Sequence, residues 1–313
     1  MSEEQTSIPQ GERTKHHYIP VFYLSNWTSP TDGNLCEFSR PYKTPPGKTE
    51  RPVKAIPMKA KRVHPNGTGY IKNLYKFPDL NPRMRNFLED RFFLRVDDDG
   101  ARVMQRLLNG DTEFDANAKS AWARFLMSMF HRSPENIDRV LTMMTPEYVR
   151  SLEPELRPRY EQRVAEKGGG PTWDELVANF KGADYQQFAL LLLHRIMDSE
   201  RVGTVLTNMI WTVAPRYGIY PLFTSDRPIW MTPLGQNDAH LIMPLTPDHF
   251  FFAGRDEATL HMLEQTNLHR GLAEVVNNRL VRQARRFVYA RDDKRKQFMQ
   301  NRLGDRLSWS PLE

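Results

Sequence analysis

Hydrophobic and polar positions divide this chain into three regions of different periodicity. From Pro20 the apolar residues Val21 and Leu24, with the aromatics beside them, give one face of a short helix that starts on proline. "NLCEFSR" then alternates as a strand does, after the turn "SPTDGN". Eight prolines between residues 41 and 82 predict loop with short strands, "YIKNLYKFP" being apolar enough to supply one of them.

From Pro82 to about Met209 the spacing is helical. "PRMRNFLEDRFFLRV" opens on proline, "DDDGARVMQRLLNG" opens on acids and closes at Asn109 and Gly110, and "DANAKSAWARFLMSMFHR" carries a long apolar face. Ser133 caps "PENIDRVLTMM", and Thr172 with Glu175 forms a capping box after the flexible "KGGG". "DYQQFALLLLHRIMDSERVGTVLTNM" reads as the longest helix. Beyond it, "WTVAPRYG", "YPLFTSD", "HLIMPL" and "HFFFAGR" are short apolar runs between turn residues, which predicts a small sheet. A last helix over "DEATLHMLEQTNLHRGLAEVVNNRLVRQARRF" precedes the strand-like "FVYA". The pattern predicts an α+β fold, a helical middle region packed with a small, mostly antiparallel sheet that the N-terminal and C-terminal parts build together. The expected organisation is a flexible tail at 1–14, one intertwined domain at 15–290 and a charged, frayed tail at 291–313.

Composition narrows the class. With 39% hydrophobic and 26% charged residues the chain reads as a globular protein, and its net charge of +6 favours anionic partners such as nucleic acid or nucleotides. The cations are spread along the chain, apart from "RDDKRK" and "RQARR", as a solvated surface would have them. The single cysteine, Cys36, excludes an intrachain disulfide and a thiolate zinc cluster within one chain. The longest apolar run, "FALLLL", is too short to span a bilayer, and "MSEEQTSIPQGERTK" lacks the apolar stretch of a secretion signal, so no membrane association and a cytoplasmic location are expected. The P-loop, the dinucleotide fingerprint, the Gly-x-Ser-x-Gly elbow and HExxH are all absent, which disfavours the enzyme classes they mark.

Taken in order, "HHYIPVFYLSNW" with its following "GNL" strand, "FLMSMFHRSP", "FTSDRPIW", "MPLTPDHFFFAG" and "VVNNRLVRQARRFVYA" resemble a bacterial family, domain of unknown function 4238. The resemblance covers roughly residues 15 to 290. The family's hallmarks are a histidine pair followed by tyrosine, a branched aliphatic and proline, and a later Ser-Asp-Asn-Pro. Arg227 stands here in place of that asparagine. The resemblance implies positions of importance and no reaction.

Neighbouring side chains diverge, so one of His16 and His17 is expected to face a site while the other packs. Placed ahead of a helix, such a histidine suits phosphate contact or general base work. A His-Asn-His endonuclease motif also opens on paired histidines, but its later ligands are missing here. Asp226, after an apolar strand in "FTSDRPIW", suits orientation of a histidine, cation binding or proton acceptance, or else a plain Asp turn. Glu89 lies between large apolar residues and needs a partner if it faces inward. Arg132 either complements a helix end or offers a fork to phosphate. Asn277 and Asn278 interrupt an apolar helix face.

The leading expectation is a phosphodiester-hydrolysing, nuclease-like site with His16, His17, Asp226 and Glu89 as catalytic candidates, and Arg132, Arg227, Asn278 and Ser225 as substrate-binding ones. A divalent ion such as Mg or Mn is its cofactor candidate. The alternative is a non-catalytic nucleic-acid-associated or defence-system binding protein that uses the same residues as a buried polar network.

Overall fold

The computed structural model describes residues 14–40, 56–77, 80, 82–305 and 307. The 1–14 tail, but for Thr14, and much of the proline-rich stretch therefore lie outside the described residues. The N-terminal part forms β1 (Lys15–His17), the single-turn α1 (Val21–Leu24), β2 (Leu35–Ser39), β3 (Lys59–Val63) and β4 (Tyr70–Lys72). Pro20 precedes α1 in extended backbone, and Tyr23 and Leu24 bury its inner face.

The middle is helical. α2 (Pro82–Arg85) leads through a π turn at Leu88–Phe93 into α3 (Leu94–Leu108), so the two helices expected from "PRMRNFLEDRFFLRV" and "DDDGARVMQRLLNG" are joined. After them come α4 (Ala116–His131), α5 (Pro134–Met143), α6 (Pro146–Ser151), α7 (Glu153–Glu166), α8 (Trp173–Ala178), α9 (Gly182–Met197) and α10 (Glu200–Asn208). The caps act as the residue types predict: Ser133 accepts the amide of Asn136, and Thr172 and Glu175 cap each other. The expected longest helix breaks at Asp198, whose carboxylate takes the Arg124 guanidinium at 2.6 Å instead of continuing the helix.

The C-terminal part holds β5 (Ile210–Pro215), β6 (Thr224–Ser225), β7 (Trp230–Met231), β8 (His240–Thr246), β9 (His249–Gly254), α11 (Glu257–Arg270), α12 (Leu272–Gln283), β10 (Phe287–Ala290) and α13 (Lys296–Arg302). The predicted last helix is two helices. Gly271 divides them, at φ +64°, a left-handed conformation open to glycine and strained for other residues. Within the segment where fraying was expected, Lys296–Arg302 forms α13, because Phe298, Met299 and Leu303 bury against Phe38, Phe223 and Val288.

The fold is α+β, with antiparallel sheets in the orders β1-β4, β3-β2-β10-β6 and β5-β9-β8-β7. The front strand β2 does join the C-terminal β10, with Phe38 opposite Val288. β6 leaves the strands around it in sequence and joins this second sheet, pairing Ser225 with Val288 and Thr224 with Tyr289. Asn277 on α12 clips the approach, accepting the amide of Phe223 at 2.8 Å and donating to the carbonyl of Pro221 at 2.9 Å. One large core unites the three regions: Tyr23 and Trp27 from the front, Trp122 and Phe125 from α4, and Phe251 and Tyr289 from the sheets are all buried in it. Tyr23 ties front to back through its hydroxyl, which meets Thr224 at 2.7 Å and the carbonyl of Pro244 at 2.8 Å.

Candidate functional site

The histidine pair lies on β1, and strand geometry sends the two rings to opposite faces. His16 is fully buried, stacked on Tyr75 with 5.5 Å between ring centroids, and its Nδ1 accepts the Tyr75 amide at 2.9 Å. A nitrogen that accepts from an amide carries no proton, which fixes the tautomer of the neutral ring. His17 is half-buried against Tyr70, with 5.3 Å between ring centroids.

A hydrogen bond to the backbone of Asn66 holds the His17 ring, and its Nε2 is buried with no hydrogen-bond partner. Burial lowers its pKa to about 4, helped by the positive fields of Lys15 and Arg132 and opposed by the Asn66 bond. Neutral at pH 7 and anchored through Nδ1, the ring leaves a lone pair on Nε2 with nothing to receive it.

The chain turns just after β1. The amides of Tyr18 and Ile19 both donate to the carbonyl of Gly69, at 2.9 and 3.1 Å. Gly69 has φ +66°, and a Cβ there would stand 3.1 Å from Cβ of Ile19, so both conformation and space call for glycine. The turn buries Tyr18, whose hydroxyl has no hydrogen-bond partner. Its pKa is raised well above 10, chiefly by burial and then by the charge of Asp226, with Arg286 opposing. Within His16, His17 and Tyr18 it is therefore Tyr18 that senses the charge of Asp226, as Tyr289 does from β10.

Asp226 is anchored by backbone. Its Oδ1 accepts the amide of Arg285 at 3.0 Å, and its Oδ2 accepts those of Arg286 at 2.6 Å and Phe287 at 3.3 Å. Burial and the charge of Glu135 raise its pKa to about 6, against the amides and the charge of Arg227. Glu135, in the first turn of α5, takes Nε of Arg286 at 2.9 Å. A second polar chain runs alongside: Lys61 pairs with Glu37 at 3.1 Å, Glu37 accepts from Thr68, and Thr68 meets the hydroxyl of Tyr289 at 3.0 Å.

The other expected residues divide into two groups. Arg132 is fully buried at the end of α4, where its Nη1 meets Asp97 at 2.8 Å and its carbonyl accepts the Tyr75 hydroxyl at 2.7 Å. Its guanidinium sits over the ring of Phe93, 5.3 Å from the centroid. Glu89 is half-buried in the π turn, and its charge reaches Tyr75. Tyr75 therefore joins His16 to Arg132, and Glu89 acts on it through its charge. The Ser225 hydroxyl closes a tight turn, donating to the carbonyl of Arg227 at 2.9 Å and accepting its amide at 3.1 Å. The Arg227 carbonyl also receives Nε2 of Gln283 at 2.6 Å, so Ser225 and buried Arg227 shape the β6 corner beside Asp226.

Asn278 stands apart. Its Oδ1 receives Nε of Arg302 at 2.7 Å, toward α13, and Asn277 is the inward residue. Three residues of the site were not singled out from the sequence. Tyr18 immediately follows the pair, Glu135 is the first-turn acid of "SPEN", and Arg286 belongs to "RQARRF".

Among the described residues no group of three or more His, Cys, Asp and Glu is gathered to hold the Mg or Mn ion considered from the sequence. Nor, among those residues, is any helix long and apolar enough to cross a membrane. Fold and site define an α+β protein in which a His-His-Tyr strand and a Ser-Asp corner enclose a buried polar cluster. The chain belongs to the family described as "Protein of unknown function (DUF4238)", whose model matches residues 15–294. No curated protein matches the chain, and no solved structure does.

Proposed function

We propose that this protein hydrolyses phosphodiester bonds, with His17 as the proton acceptor. The observation that carries the reading is the state of His17: a neutral ring, fixed through Asn66, whose buried Nε2 has no partner. An aromatic base held in one tautomer with its lone pair unspent is what activation of a water requires. In the step, water gives a proton to Nε2 as its oxygen bonds to phosphorus. The bond from phosphorus to the leaving oxygen breaks, and the imidazolium or solvent returns a proton to that oxygen.

A pKa of about 4 makes His17 a weak base by itself. Burial is the main cause of that value, and the positive field of Lys15 adds to it; a phosphate anion beside Lys15 offsets that part and moves the base toward its working range. The net charge of +6 favours the same class of substrate. Asp226 enters this reading as a positioning residue, since three amides already occupy its carboxylate.

That saturation also favours a second reading, in which the protein binds nucleic acid without cleaving it and the polar cluster is structural. Purified protein incubated with single-stranded RNA, single-stranded DNA and bis-p-nitrophenyl phosphate separates the two. Release of cleaved strands or nitrophenolate supports hydrolysis. Intact substrates under all conditions, with and without added Mg²⁺ or Mn²⁺, leave the binding reading in its place.

A further inference from the structure

The strand beside His17 carries an unusual electrostatic load. Residues 56–77 contain the five cations Lys59, Lys61, Arg62, Lys72 and Lys76 and no acid at all. Within the β1–β4 ribbon, Lys15 and Lys72 are directly opposite each other in register, and both are exposed. Like charges facing across an antiparallel pair destabilise it, and neither lysine has an ion pair among the described residues. Two other cations of the segment have acids: Lys61 meets Glu37, and Arg62 meets Asp32 at 2.6 Å. Lys15 and Lys72 thus face each other without an acid on the ribbon that holds His17.

An aromatic ring sits between these charges. The ammonium of Lys15 lies 4.9 Å from the centroid of Tyr70, and the other neighbour of that ring is His17. Tyr70 precedes Lys72 by two residues and is opposite His17 in register. Cations that track a phosphate backbone, interleaved with a ring for a base to stack on, are the elements of single-strand recognition. A ribbon of three-residue strands is too short to read a duplex groove by shape, whereas it matches two or three unstacked nucleotides in length.

We propose that the β1–β4 ribbon is a binding face for single-stranded nucleic acid, with Lys15 and Lys72 on successive phosphates and Tyr70 as the stacking surface. The inference rests on the phosphodiester reading of His17 and names its substrate class: a single strand laid along the ribbon places its phosphates over the face that holds His17. Relief of the Lys15–Lys72 repulsion by the bound strand adds to the affinity.

The test is fluorescence anisotropy of labelled single-stranded 20-mers, RNA and DNA, titrated with the full chain across a salt series. The measured set comprises wild type, the double variant Lys15→Ala/Lys72→Ala, Tyr70→Ala and, as a charge-matched control, Lys167→Ala/Lys181→Ala, whose lysines are exposed in the helical region. Removing two phosphate contacts flattens the salt slope by about 1.4, equivalent to roughly 20-fold weaker binding at 0.1 M salt, and the control pair leaves the slope near that of wild type. Tyr70→Ala weakens binding without changing the slope. Equal losses in both double variants, or a duplex of the same sequence held as tightly as the single strand, would overturn the proposal. Binding that follows the predicted pattern without cleavage defeats the hydrolytic reading alone, and cleavage with no dependence on the two lysines defeats this face alone.

Discussion

Asp226 and Arg286 meet through the backbone and separate at their side chains: Oδ2 of Asp226 accepts the amide of Arg286 at 2.6 Å, while the guanidinium of Arg286 turns to Glu135 at 2.9 Å. One carboxylate thereby sets the start of β10, and the residue it holds ties that strand to the first turn of α5. Asp226→Asn places an amide donor against main-chain donors, so it is expected to cost about 2 to 4 kcal/mol in urea denaturation. A variant as stable as wild type would show that the carboxylate is not an anchor.

Acid stability reports two half-buried histidines. His17 and His131 both have pKa values lowered by burial to about 4, against 6.5 in the unfolded chain. Between those values the unfolded state binds more protons, so each contributes stability that is present above pH 6.5 and lost as pH falls toward 4. Asp226, raised to about 6 from 3.8, has the opposite sign: its unfavourable buried charge is relieved as pH falls from 6 toward 4. The stability of wild type minus that of His17→Gln should therefore decrease as pH falls from 6.5 to 4, and that of wild type minus Asp226→Asn should increase. Parallel pH profiles for wild type and His17→Gln would contradict the first assignment.

Adjacent asparagines on α12 should differ sharply. Asn277 satisfies two backbone groups on the approach to β6 in the buried interior, so Asn277→Ala leaves them unpaired at a cost of about 2 to 3 kcal/mol. Asn278→Ala loses a bond to Arg302 at a half-buried surface and should cost under about 1 kcal/mol. Thermal melts of the two variants make the comparison, and equal losses would count against it.

Gly271 carries a purely backbone effect. No atom lies within 4 Å of where its Cβ would be, so Gly271→Ala meets no clash. Its φ of +64° still costs about 1 kcal/mol for a residue with a Cβ. A melt showing that alanine raises stability would mean α11 and α12 straighten into the single helix that their composition favours.

Elements whose rules are local could be read from the chain alone. The proline before α1, the Ser133 and Thr172 caps and a strand at β2 all reappear. The front strand does join C-terminal strands, but in the sheet of β10 and β6, apart from β5, β8 and β9, and it is buried on both faces where alternation predicts one. Breaks were hidden where one residue interrupts a continuing apolar pattern, as at Asp198 and Gly271, and α13 was hidden because Phe298, Met299 and Leu303 sit among charges. In the site, the divergence of His16 and His17 follows from strand geometry. Asp226's partners do not, because backbone amides leave no mark in side-chain identity. The basic ribbon is not legible in the sequence for a different reason: Lys15 and Lys72 are 57 residues apart, and only the register of β1 against β4 sets them side by side.

The most direct test of the hydrolytic account is the rate of phosphodiester cleavage by His17→Gln beside wild type, with the melting temperature of each measured in the same buffer. Loss of a general base predicts a rate at least about 100-fold lower, measured well below the melting temperature of both proteins, since the variant also loses the Asn66 bond and the packing on Tyr70. Cleavage by the variant at the wild-type rate, or no cleavage by either protein, would contradict it.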